Sequence, residues 1–153
     1  MKTLLTTLAT CVALGLPGVA LAQDATPHIN ARKAMMNLYA YNLGVLGGMA
    51  QGQVPYDADL ARSAATSLFH LSRSGSARMF PAGSDSVSMP GATRALPAIW
   101  ENFPDYGARA AALAAATEVM MNAAGTDLAS LQGAMAGLGG ACGDCHQTYR
   151  QAQ

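Results

Sequence analysis

Charge is scarce in this 153-residue chain, with only 12% of residues Asp, Glu, Lys or Arg, against about 25% in an average soluble domain. What charge there is balances, nine basic residues against nine acidic. That excludes a polybasic nucleic-acid binder, whose affinity comes from neutralised phosphates, and the 51% hydrophobic content excludes an intrinsically disordered chain. Cysteine is scarce too: three residues, in a chain long enough to bury a one-domain core without a disulfide framework. No segment alternates apolar and polar residues over a useful length, so strands are not expected. No Ser/His/Asp arrangement, paired-carboxylate site or phosphate-cradling loop stands out, and an enzyme in the usual sense is not expected.

The apolar excess is concentrated at the start. Met1-Lys2 supplies a short positive region, Leu4 to Ala20 carries no charge, and Ala20-Leu21-Ala22 before Gln23 has the small-x-small form of a signal-peptidase site. Residues 1–22 therefore read as a secretory signal peptide cleaved after Ala22, and residues 23–153 as the mature domain. An uncleaved anchor competes, because the run approaches membrane-spanning length, but Gly15, Pro17 and Gly18 interrupt its end. A lipoprotein site at Cys11 would leave too short an apolar region before it. No other segment is apolar enough to span a membrane, so no stable insertion is expected after cleavage. The mature chain keeps eight basic and nine acidic residues, and Cys142 and Cys145 are its remaining cysteines.

Four helical stretches follow. The first opens at Thr26-Pro27, a capping residue followed by a proline, and Ile29, Arg32, Met36, Tyr39, Leu43 and Leu46 recur at three- and four-residue steps on one face. Asp57 caps a second, carrying Leu60, Ala64, Leu68 and Leu71 and closed by Gly75. Ser74 to Pro97 turns to Ser, Gly and Pro and reads as a long crossover loop with a short turn near Ile99-Trp100. Asp105 is a candidate cap for the third helix, striped by Leu113, Ala116 and Met120. Thr126 or Asp127 caps the fourth, in which Leu131, Met135, Leu138, Cys142, Cys145 and Tyr149 step by four and three. The expected fold is all-α, an antiparallel four-helix bundle with a long loop between helices 2 and 3.

The chemically specific signal is Cys142-Gly143-Asp144-Cys145-His146. On a helix, residues three and four apart share a face. Two thiols at this spacing can form thioethers with the two vinyl groups of haem while the adjoining imidazole ligates iron, the pattern of c-type haem attachment. The alternatives fare worse. A Cys142–Cys145 disulfide would close almost no loop. Structural zinc wants four ligands, and His28 and His70 lie in other segments, while a thioredoxin-like pair needs a preceding strand. Gly133, Gly137, Gly139 and Gly140 suit either a flat macrocycle close to backbone or helix–helix contact. Only seven residues follow His146, none of them Met or His, so any sixth iron ligand comes from upstream, with the first helix as its candidate source.

Together, Arg32-Lys33-Ala34-Met35-Met36, Gly52-Gln53-Val54-Pro55-Tyr56-Asp57, Pro97-Ala98-Ile99-Trp100 and Cys142 to His146 followed by Tyr149-Arg150 resemble the class II c-type cytochromes, the cytochrome c prime family of exported bacterial haem proteins. The resemblance implies one covalent haem c per chain, thioether bonds at Cys142 and Cys145, and His146 as axial ligand. It also implies Arg32 near the haem propionates, Met36 on the distal side, Arg150 near the proximal face, and pairing of two chains through their first two helices. Lys33 and Arg94 are candidate haem or propionate contacts, with solvated side chains as the alternative. Two functions stay open: periplasmic electron transfer to a redox partner protein with Met36 as sixth ligand, or a five-coordinate haem that binds NO or CO beside Met36. Met35, one residue earlier, leaves the register of the distal methionine open.

Overall fold

In the computed structural model the described residues are 24–152, and the expected leader over 1–22 lies outside them. Each of the four long helices starts where a side chain can take up free backbone N–H groups. Asp57 accepts from the N–H groups of Asp59 and Leu60 at the start of α2 (Ala58–Ser72), and Asp127 from that of Ser130 at the start of α5 (Leu128–Tyr149). Two expected caps shift. In α1 (Thr26–Ala50) the capping position is Ala25, and Asp24 takes the Thr26 N–H at 2.9 Å. Helix α4 (Phe103–Ala123) is capped by Asn102, which accepts from Asp105; Asp105 lies in the first turn, where a carboxylate also complements the helix dipole. The turn near Trp100 is a short helix, α3 (Ala98–Glu101).

At one end of the bundle the Gln132 amide donates to the Ala50 carbonyl, the Tyr56 hydroxyl to that of Ala124, and Arg62 to that of Gly125. The end of α1 thus meets the start of α5, and the α1–α2 corner meets the α4–α5 turn. The four long helices therefore run alternately up and down, as the sequence predicts. At the other end, residues 73–97 cross over through a 3-10 turn (Ser76–Met79) and then pair with the chain that follows α5: the Leu96 N–H donates to Tyr149 O, the Gln151 N–H to Arg94 O, and Ala95 bridges Arg150.

The core runs between these ends through Met35, Tyr39, Leu46 and Met49 of α1, Leu68 of α2, Met120 of α4, and Leu131 and Leu138 of α5. Each such side chain stabilises by about 1.5–3 kcal/mol on burial. Helix α2 meets α1 and α4 largely through Ala61, Ala64 and Ala65, all buried. Two positions of the expected stripes are displaced. Leu60 is 49% exposed and Ala61 points inward in its place; Met36 is 40% exposed while Met35 is 8% exposed. In α1 the buried face follows Ile29, Arg32, Met35, Tyr39, Asn42 and Leu46. A stripe drawn through Met36 is therefore one residue out.

Candidate functional site

Cys142, Cys145 and His146 occupy the last two turns of α5, all half-buried, and both cysteines are unpaired thiols. Burial raises the Cys142 thiol above its ordinary pKa and does the same at Cys145, where nearby Arg109 partly offsets it. These are protonated thiols rather than reactive thiolates, which does not suit a thiol–disulfide exchange site. Burial, and then the cations Arg150 and Arg94, lower the pKa of His146, so its imidazole is neutral and has a lone pair available for a metal. Among the described residues no group of three or more His, Cys, Asp or Glu side chains converges as a bare metal ion would require.

Tyr39 of α1 faces this turn. Its phenol is pushed up to about 12 by burial, with the Cys142 thiol adding to the shift. Because α1 and α5 run antiparallel, one turn back from Tyr39 is level with one turn forward from Cys142. Met36 thus stands at the height of Cys145 and His146, and Arg32 at the height of Tyr149. The Met35 side chain turns into the core at 8% exposure, its sulfur 3.8 Å from a Ser74 hydroxyl that donates to the Leu71 carbonyl, whereas Met36 stays outside the core. Tyr106 of α4 closes the side, its phenol raised by burial and by Cys145, and it packs against Phe80 (5.0 Å) and edge-on to Tyr149 (5.6 Å).

Arg32 is 5% exposed and its charge meets no carboxylate among the described residues. Instead Nη1 donates to the carbonyl of Met79 (2.6 Å) and the hydroxyl of Ser84 (2.8 Å), and Nη2 donates to the Ser84 carbonyl (2.6 Å). The guanidinium also lies 4.7 Å over the Phe80 ring. Its two terminal nitrogens thus tie the crossover loop to α1, which leaves Nε for any other acceptor. Arg94 donates twice to the Gln151 carbonyl, fixing the chain beyond α5. Arg94, Gly143, His146, Gln147, Arg150 and Ala152 line an open hollow of about 430 Å³ on the other side of His146. Lys33 is exposed beside Arg32, and His28 and His70 lie apart from the site. Gly133, Gly137, Gly139 and Gly140 are exposed with open space where a side chain would project, so helix–helix contact does not explain them. At 100° per residue, Gly133, Gly137 and Gly140 also lie away from Cys142.

Sequence reasoning took Asp105 only as a helix cap and passed over Arg109. The Asp105 carboxylate accepts from Arg109 Nε (2.8 Å) and from the Tyr149 hydroxyl (2.6 Å), and Arg109 Nη1 donates to the Asp144 carbonyl (2.9 Å). Arg109 above all holds the Asp105 carboxyl below its ordinary range. The i,i+4 spacing of the pair was the available signal.

Two protonated thiols and a neutral imidazole on one helical face fit an iron porphyrin and fit neither zinc nor a redox disulfide. Fold and site together define the class, a helical-bundle c-type haem protein. The family model for cytochrome c′ matches residues 27–150, and the chain belongs to that family, whose cofactor is covalently attached haem c. A cytochrome c-554 from Cereibacter sphaeroides is 50% identical over 135 residues, covering 86% of this chain and 88% of the relative. A cytochrome c-556 from Agrobacterium tumefaciens (strain II Chrys) is 38% identical over 122 residues, covering 80% of this chain and 95% of the relative. Among solved structures, the cytochrome c′ from Thermochromatium tepidum superposes with a TM-score of 0.77 at 31% identity, covering 84% of this chain and 98% of that one.

Proposed function

We propose that this protein is a periplasmic electron carrier in which Cys142 and Cys145 bear the haem thioethers, His146 is the proximal ligand and Met36 the sixth ligand. The haem supplies one-electron Fe(III)/Fe(II) chemistry, and a thioether ligand raises its potential. The observation that carries the reading is the contrast between the two methionines: Met35 is buried in the core, and Met36 is 40% exposed outside it, on the turn of α1 that the antiparallel register with α5 sets at the height of His146. The remaining residues act by binding and orientation. Arg32 and Lys33 border the distal side, where Arg32 Nε and the Lys33 ammonium are the donors available to a propionate. Arg150 and Arg94 border the proximal side. The exposed apolar side chains Leu38, Tyr41 and Leu60 of α1 and α2 support pairing of two chains through those helices.

Export rests on the leader over 1–22; among the described residues no helix is long and apolar enough to cross a membrane. The test is the visible spectrum of the reduced protein, expressed with haem-maturation machinery. Sharp, split alpha and beta bands are expected, with conversion to a high-spin spectrum in Met36→Ala. A high-spin spectrum in the parent protein would favour the alternative, a five-coordinate haem with NO or CO entering beside Met36. Absence of a Soret band would overturn both.

A further inference from the structure

We infer that Asp105 and Arg109 of α4 are positioning residues for the iron ligand, acting as a clamp on the turn of α5 that carries it. The inference rests on the haem reading above. His146 lies within the last turn of α5, which ends at Tyr149, where backbone carbonyls lack helical partners and the helix is prone to fray. A metal-binding histidine is usually oriented by a partner on its second ring nitrogen. Among the described residues none donates to or accepts from the ring of His146, so the imidazole takes its orientation from the backbone beneath it.

From α4 that stretch is held at two points, beside the crossover loop's Leu96 N–H bond to the Tyr149 carbonyl. Arg109 Nη1 donates to the carbonyl oxygen of Asp144, two residues before His146, at 2.9 Å. Asp105 accepts the hydroxyl of Tyr149, three residues after it, at 2.6 Å. The two clamp residues sit one turn apart on α4 and are joined to each other at 2.8 Å, so both points move as one unit. Tyr149 is itself 4% exposed and packs edge-on against Tyr106, which gives the second point a fixed anchor. The pair is neutral overall, so its effect on the iron comes through geometry rather than net charge.

The test uses ferric electron paramagnetic resonance and the midpoint potential of the purified holoprotein and four variants. The parent protein is expected to give one set of g values. Arg109→Met and Tyr149→Phe each release one point and are expected to give more than one set, with a shifted potential. Arg109→Lys keeps a cation for Asp105 but cannot also reach the Asp144 carbonyl in a forked geometry, and is expected to resemble Arg109→Met. Arg73→Met breaks the Arg73–Glu118 pair between α2 and α4 and is expected to leave the spectrum as in the parent. The inference is overturned if Arg109→Met leaves both readouts unchanged, if lysine restores them fully, which would mean that charge alone matters, or if Arg73→Met produces the same heterogeneity. Failure of the haem reading is distinct, since the parent protein would then have no Soret band.

Discussion

Replacing Arg32 by Met should loosen the whole crossover loop while leaving the helices formed. The side chain makes short charge-assisted bonds to the carbonyls of Met79 and Ser84 and a third bond to the Ser84 hydroxyl. Bonds to a charged group contribute about 1.5–3 kcal/mol each, and the cost of burying a guanidinium without a carboxylate offsets part of the total. A net loss of about 3 kcal/mol is expected. At about 3–4 °C per kcal/mol for a domain of this size, the thermal midpoint should fall by about 10 °C. The assay is far-UV circular dichroism of the holoprotein during heating, paired with limited trypsin digestion at the loop residues Arg78 and Arg94. The substitution should expose both sites at temperatures well below the melt. Arg32→Lys should recover about half of the loss, because an ammonium group reaches one of the two carbonyls. A midpoint lowered by less than 3 °C, or a loop that stays resistant to trypsin, would refute the reasoning.

The two adjacent methionines should separate cleanly. Met35→Ala opens a core cavity and should cost about 2–5 kcal/mol in urea unfolding without changing the visible spectrum, whereas Met36→Ala should change the spectrum at a smaller cost in stability. Gly125→Ala would place a methyl 2.7 Å from Arg62 Nε and 2.9 Å from its Cβ, pushing Arg62 off the Gly125 carbonyl; a loss of about 1 kcal/mol is expected in the same assay. The carboxyls of Asp85, Asp105 and Asp127 are held low, by Ser88, Arg109 and the Ser130 N–H respectively. Depressed carboxylates contribute stability that is fully present above their unfolded pKa of about 4 and lost as the pH falls through the folded values. The urea midpoint of the holoprotein should therefore hold from about pH 7 to pH 5 and fall below about pH 4; a decline beginning near pH 6 would contradict this.

What the sequence made legible was local. Asp57 announces its helix, and Asp127 was one of two candidates for the last, because an aspartate before an apolar run readily caps; Asp105, expected to cap in the same way, lies in the first turn of α4 instead. The thiol and imidazole positions follow from helical spacing alone. The register of Met35 against Met36 was not legible, since both fit an apolar stripe and the choice is made by packing across the core, where Met35 joins Leu68, Met120 and Leu138 from helices far along the chain. The destination of Arg32 was hidden for the same reason: its acceptors lie 47 to 61 residues further on, in a loop whose composition says only that it is irregular. Asp105 and Arg109 could be recognised as a helical pair, but their joint hold on Asp144 and Tyr149 emerges only when α4 lies beside α5.

The alanines of α2 bear on how this chain tolerates change. Ala61 and Ala65 are fully enclosed and Ala64 nearly so, and each occupies a place where one helix approaches its neighbours with no spare volume. Enlarging any of them would force the helices apart at a cost of about 1–3 kcal/mol. Variation at these three positions is thus confined to alanine and glycine, while Leu38 and Tyr41, bulkier and exposed, are free to become polar in a single chain. In this bundle the least conspicuous side chains are the ones that set its dimensions.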